Sequence, residues 1–261
     1  MLASVVSCNF NQPAGNSFMQ VIQNGNAGDA ASLMEIPALD GDEVILKHKG
    51  YVTSYDADAM IPEWVAYELT AEETRGDASR EESIFKMDPQ YRKAQAMRED
   101  YYDSGWTKGH MACAGDFKWD ADALDGTFYL TNICPQDETL NGGDWNYLEK
   151  QVRYWARDNG RAWVVTGPII GMNKYGRIGD NDVVVPDSFF KAVLIPRGEG
   201  YSAIAFVMGN DSRRYYLEKC ALSVNELERM TGMDFFPNLP DDVEEKVEGK
   251  VTLSDFNIKV R

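Results

Sequence analysis

The sequence predicts an α+β domain with a mostly antiparallel sheet. Three observations carry that prediction. The apolar runs at 161–170, 188–196 and 201–208 are strand-length and rich in β-branched or aromatic residues. The stretch 143–158 instead repeats Trp145, Leu148, Val152, Trp155 and Ala156 at spacings of three and four, which puts them on one helical face. The order is strands, helix, strands, helix, and not the regular alternation of a parallel sheet.

Taken along the chain, residues 9–34 are rich in Asn, Gly, Gln, Ala and Ser and read as a linker or loosely attached arm. The division is therefore an arm over 1–34 and one domain over 35–261, since no second linker or internal repeat occurs. "EVILKHKGYVTSYD" (43–56) is a β-rich stretch with a kink or turn at Gly50. "PEWVAYELT" (62–70) alternates and predicts a strand, as does the aromatic, β-branched "TFYLTNI" (127–133). The small residues of "MACAGD" suit a short helix. The 143–158 helix has Asp144 in its first turn, Arg153 and Arg157 near its end and Gly160 as its stop. A shorter helix is expected over 223–232, with Ser223 as N-cap and Glu226 closing a capping box. "PDDVEEKVEG" (240–249) reads as a solvated acidic segment.

Composition excludes some function classes. In 261 residues there are 42 acidic against 26 basic side chains, a net charge of -16. Polyanions bind through Lys and Arg, so a broad nucleic-acid-binding surface is excluded and only a local site remains open to such a ligand. No apolar run is long enough to span a bilayer. Cys8, Cys113, Cys134 and Cys220 form no CxxC pair and have no zinc spacing; buried free thiols are the expectation. Val6-Ser7-Cys8 looks like the tail of a bacterial lipoprotein signal, which would make Cys8 a lipid anchor and place the protein at the cell envelope or outside the cell.

Only two histidines occur. His48 is expected mid-strand, between Lys47 and Lys49, and is taken as structural. His110 follows Lys108 and Gly109, inside "GWTKGHMACAGDFKW". Gly109 permits a close backbone approach. Lys108 offers a cation to an anion and favours a neutral imidazole, as a general base acting on an anionic substrate requires. Downstream, Asn132, Asn141 and Glu149 offer carboxamide and carboxylate oxygens, which suit Mg²⁺ because it keeps most of its own waters. Asn141 and Glu149 are eight residues apart, about 12 Å of rise and roughly 80° of rotation on a helix. Glu149 therefore suits a water held by the metal better than the metal itself.

The run "SGWTKGHMACAGDFKW", then "TFYLTNICPQDETLNGGDWNYLEKQVRYWA" and "RAWVVTGPI", resembles the DNA/RNA non-specific endonucleases, the ββα-metal (His-Me finger) nucleases of the endonuclease G kind. The likeness continues through "VVVPDSFFKAVL" and "LSVNELERMTGMDFFPNLPDDVE" and covers nearly all of 43–248. The family motif Asp-Arg-Gly-His reads Thr107-Lys108-Gly109-His110 here, so the aspartate is absent and lysine stands for arginine. The resemblance implies His110 as general base, Asn141 as the Mg²⁺ ligand, Glu149 as holder of a water on the metal, and Asn132 as a further active-site asparagine. It also implies an upstream phosphate-binding arginine before an aromatic-x-x-Asp-Pro stretch. Arg80, ahead of "IFKMDP", is the better match and Arg75 the alternative. The implied activity is hydrolysis of DNA, RNA or both with little sequence preference, leaving 5′-phosphates, with Mg²⁺, or Mn²⁺ or another divalent cation in its place, as cofactor. Family members are often homodimers. Lysine lacks arginine's bidentate grip and threonine lacks a carboxylate. A weakened or inactive relative, acting in nucleic-acid binding or as a cell-surface interaction protein, is therefore the alternative expectation.

Overall fold

The computed structural model describes residues 33–259. The readings of Cys8 as an anchor and of 1–32 as part of an arm fall outside them. The chain runs through β1 (Ile45–Lys47), β2 (Val52–Asp56) and β3 (Ile61–Thr70), then β4 (Thr107–His110), α1 (Ala121–Gly126) and β5 (Ile133–Gln136). After α2 (Asn146–Asn159) come β6 (Arg161–Ile169), β7 (Arg177–Ile178), β8 (Val183–Val184), β9 (Ser188–Arg197), β10 (Gly200–Gly209) and β11 (Ala221–Leu222). Two helices, α3 (Val224–Thr231) and α4 (Asp241–Glu248), follow. The main sheet has seven strands in the order β1-β2-β3-β6-β9-β10-β11. All of its pairings are antiparallel.

Both faces of this sheet are covered, which is why its central strands read as unbroken apolar runs. Side chains alternate between faces along a strand. Tyr67 and Leu69 of β3, Val164 of β6 and Val193 and Ile195 of β9 share one core with Leu148, Val152, Trp155 and Ala156 of α2. Trp64 and Ala66, Trp163 and Val165, and Phe190, Ala192 and Leu194 share the opposite core with Val224 and Leu227 of α3 and Val247 of α4. Each Leu or Val so buried stabilises the fold by roughly 1.5–3 kcal/mol. Met34 and Ile36 already belong to the second core, so the packed body includes the last residue assigned to the arm.

The structure changes four of the local expectations. Residues 43–56 form a hairpin, with His48 in its turn and not mid-strand. The His48 ring stacks on Tyr51 at 4.5 Å, and Nε2 lies 3.0 Å from Asp88. Residues 127–133 are not a strand: they form turns and a 3-10 turn at Leu130–Asn132, and only Ile133 begins β5. The Asn132 amide is the cause, because it donates to the Thr127 and Ala112 carbonyls and bends the chain back. Helix α2 starts at Asn146, later than expected, because Gly143 sits at φ -106°, ψ -108° and breaks the turn before it. Asp144 therefore precedes the helix, and its carboxylate accepts from the Tyr215 amide (2.7 Å) and from Arg214 (3.1 Å). Finally, the acidic stretch 240–249 is helical and buries Val247 and Glu248. The Ser223–Glu226 capping box forms as expected, and Gly160, at φ 87°, ends α2.

Glu248 is 3% exposed and its Oε1 has no hydrogen-bond partner. Burial, then the charges of Glu228, Glu244 and Asp234, push its pKa from 4.5 to about 9. The folded protein therefore keeps a proton that the unfolded chain loses near pH 4.5. The stability this gives is complete below that pH and is lost as pH rises towards 9. Glu248→Gln is expected to leave the melting temperature unchanged at pH 4 and to raise stability by roughly 2–4 kcal/mol at pH 8. Thermal melts at both pH values check it; equal shifts at the two would contradict it.

Candidate active site

The small hairpin β4–β5 carries the motif. Its register pairs Thr107 with Gln136, Gly109 with Cys134 and His110 with Ile133. Gly109 is required there: a Cβ would lie 2.3 Å from the Gln136 amide oxygen and 2.7 Å from its Cβ. Alternation puts Lys108 and His110 on one face of β4 and Thr107 and Gly109 on the other.

His110 stands between two aromatic walls, Phe128 edge-on at 4.9 Å and Phe85 at 5.3 Å. Its Nε2 is enclosed and has no hydrogen-bond partner among the described residues. Burial first, and the Arg80 charge second, push its pKa down to about 3. The imidazole is thus neutral at any ordinary pH. Arg80 is the upstream arginine whose charge reaches His110. Arg75 ends a 3-10 turn (Glu73–Arg75) elsewhere and has no such effect on His110. The aromatic-x-x-Asp-Pro stretch now has a physical meaning: Phe85 walls His110, and Asp88 holds His48.

Lys108 shares the Phe85 ring, with Nζ 5.7 Å from its centroid, 4.8 Å from Tyr101 and 5.6 Å from Tyr102. Thr107 works on the other face. Its hydroxyl donates to the Gln136 carbonyl at 2.8 Å and accepts from Asn141 Nδ2 at 3.0 Å. That fixes the Asn141 carboxamide and leaves its Oδ1 without a hydrogen bond among the described residues. Asn132 is turned inward and, among the described residues, bonds only to backbone. It is fully buried, and its carboxamide exchanges bonds with Ala112 N–H (2.8 Å), Ala112 C=O (3.1 Å) and Thr127 C=O (2.8 Å). It shapes the chain two residues past His110.

Glu149 lies in a charged network with Lys191, Asp116 and Arg153. Burial holds its carboxyl above the usual range, while Lys191 opposes that shift and Asp116 adds to it. Lys191 is itself fully buried on β9, with Nζ unbonded and 4.9 Å over the Trp145 ring. Arg153, one turn after Glu149, bonds Asp116 at 2.5 Å and the Cys113 thiol at 3.4 Å. Tyr67 completes the set, donating to Asp116 at 2.7 Å. Sequence reasoning missed Arg153, Asp116 and Lys191. Only Arg153 had a readable signal, its i+4 spacing from Glu149. Cys113, Cys134 and Cys220 are free thiols.

Among the described residues no group of three or more His, Cys, Asp or Glu could hold a metal ion. The donor set present is one free carboxamide oxygen, with a carboxylate nearby in the chain. That fits a cation that keeps most of its waters, such as Mg²⁺, and does not fit zinc.

A two-stranded hairpin carrying histidine, followed by a helix preceded by asparagine and carrying glutamate, is a ββα-metal arrangement. Residues 31–242 match the family described as DNA/RNA non-specific endonuclease. The chain belongs to that family. It is 32% identical over 255 residues to the mitochondrial nuclease EXOG of Mus musculus, covering 87% of this chain and 69% of that protein. It is 34% identical over 214 residues to mitochondrial endonuclease G of Homo sapiens, covering 77% and 72% respectively. The human EXOG protein is 36% identical over 208 residues, but this chain spans only 56% of its length. Among solved structures, that of the EndoG/EndoGI complex matches with a TM-score of 0.75 at 29% identity, over 84% of this chain and 94% of that one.

Proposed function

We propose that the protein is a metal-dependent endonuclease that hydrolyses phosphodiester bonds of DNA, RNA or both with little sequence specificity. The observation that carries this reading is a neutral, aromatic-walled His110 beside the cations Lys108 and Arg80, on the same hairpin that fixes Asn141.

His110 takes a proton from water. The water oxygen bonds to phosphorus as the bond to the 3′ oxygen breaks in line with it, which leaves a 5′-phosphate. A base of pKa 3 is weak. The arriving phosphodiester offsets the Arg80 charge, one of the two causes of the low value, and strengthens the base when substrate is bound. Lys108 and Arg80 neutralise charge on the phosphoryl oxygens. Asn141 Oδ1 would hold Mg²⁺ or Mn²⁺, with Glu149 orienting water around it. When bound, that ion supplies further stabilisation of the phosphoryl and leaving-group charge. Thr107, in place of the aspartate of the family motif, keeps a positioning role through its bond to Asn141. These contacts are to the nucleic-acid backbone, which supports weak sequence preference. The net charge of -16 keeps unproductive binding weak.

The test is incubation of the purified protein with supercoiled plasmid and with structured RNA, in Mg²⁺ and in EDTA. Metal-dependent cutting is expected. A folded protein that cuts neither substrate in any divalent metal would overturn the reading and leave a nuclease fold used for binding.

A further inference from the structure

Charge around His110 runs against that of the chain. Arg80, Arg98 and Lys108 form no ion pair among the described residues, although acidic side chains outnumber basic ones 42 to 26. Lys108 is walled by the rings of Phe85, Tyr101 and Tyr102, which attract its ammonium without neutralising it. One of those rings holds a second cation. Arg98, exposed on the surface, donates from Nη2 to the Tyr102 hydroxyl at 3.0 Å. A single tyrosine therefore carries Lys108 against its ring and Arg98 at its hydroxyl end. Glu99 offsets both charges in part, and the two cations oppose each other.

Two like charges held together without a bonded carboxylate are relieved by an anion that reaches both. Lys108 shares a strand face with His110, so it addresses the phosphate under attack. Lys108 lies against the Tyr102 ring, while Arg98 stands at the hydroxyl end of that tyrosine. Its planar fork matches a phosphate, whereas a caged lysine offers only a point charge. We propose that Arg98 grips a backbone phosphate next to the one being cut, with Tyr102 as its positioning residue. This rests on the nuclease reading above and adds a substrate requirement to it: at least two consecutive phosphates on one strand. The contact is blind to sequence.

Salt dependence tests it. Each phosphate contact contributes about 0.7 to the slope of log affinity against log salt for a single strand. Fluorescence anisotropy of a labelled single-stranded oligonucleotide, titrated in EDTA over a KCl series, reads that slope without catalysis. Arg98→Ala is expected to flatten it by about 0.7 and to weaken low-salt binding about tenfold. Arg98→Lys restores the slope. Tyr102→Phe keeps the ring over Lys108 but frees Arg98, and weakens binding by less than Arg98→Ala. In plasmid nicking by the full chain, the Arg98→Ala loss falls on KM more than on kcat. Unchanged slope and KM, in a wild-type protein that binds and cuts, would overturn the assignment of Arg98 and leave the nuclease reading intact. A wild-type protein that neither binds nor cuts would remove that reading and this one with it.

Discussion

His110→Ala is expected to lower kcat for plasmid nicking by about 10²–10⁴-fold, the range that a positioned general base supplies. The substitution removes a ring that packs on Phe85 and Phe128 and forms no hydrogen bond among the described residues, so the hairpin register should survive it. The pH profile gives a second readout. With its pKa pushed down to about 3, the imidazole is in its accepting form above that value. In the free enzyme, kcat/KM should therefore show no acid limb from His110 between pH 5 and 8. Arg80→Ala removes one cause of the low value, so the limb should move upward in that variant. A wild-type limb near the ordinary histidine value, abolished by His110→Ala, would show that the ring is more open to water than it is here.

Asp116→Ala is expected to give the largest loss of stability, about 3–5 kcal/mol. Asp116 is 1% exposed and answers two donors, the half-buried Arg153 at 2.5 Å and the buried Tyr67 at 2.7 Å. Its removal strands the Arg153 guanidinium as an uncompensated charge and leaves the Tyr67 hydroxyl unpaired. Asp116→Asn keeps one acceptor and should lose less. Because Asp116 also opposes ionisation of Glu149, the same variant lets Glu149 ionise more readily, against the trend in stability. Denaturant unfolding of the three proteins checks the order. A loss below about 1 kcal/mol for the alanine variant would mean that water solvates Arg153.

The sheet was legible because its strands are buried on both faces. Continuous apolar runs at 161–170, 188–196 and 201–208 have no competing helical period, and β6, β9 and β10 lie where they were expected. The 127–133 stretch misled for a physical reason. Its aromatic and β-branched residues are buried as a strand's would be, but Asn132 bonds the backbone and curls it. The hairpin at 43–56 was visible only as a weak point at Gly50, which takes φ 91°. At the site, Lys108 and His110 were legible because they are neighbours in the chain. The aromatic cage of Lys108 was not, since Phe85, Tyr101 and Tyr102 belong to an irregular segment with no period to read. Lys191 was hidden for the opposite reason: a lysine inside an apolar strand normally marks an edge, and only the tertiary fold puts this one against Trp145 and towards Glu149.

The most direct measurement is the Mg²⁺ dependence of plasmid nicking by wild type and Asn141→Ala. If Asn141 anchors the ion, the variant needs at least about tenfold more Mg²⁺ for half-maximal rate, since loss of even a supporting contact at a metal site typically costs 10–100-fold in affinity. Asn141→Asp, which keeps an oxygen in place, should recover most of it. The same half-saturating Mg²⁺ concentration in all three proteins would contradict a metal held by Asn141, and with it the proposal that the hairpin and the helix after it together form the catalytic site.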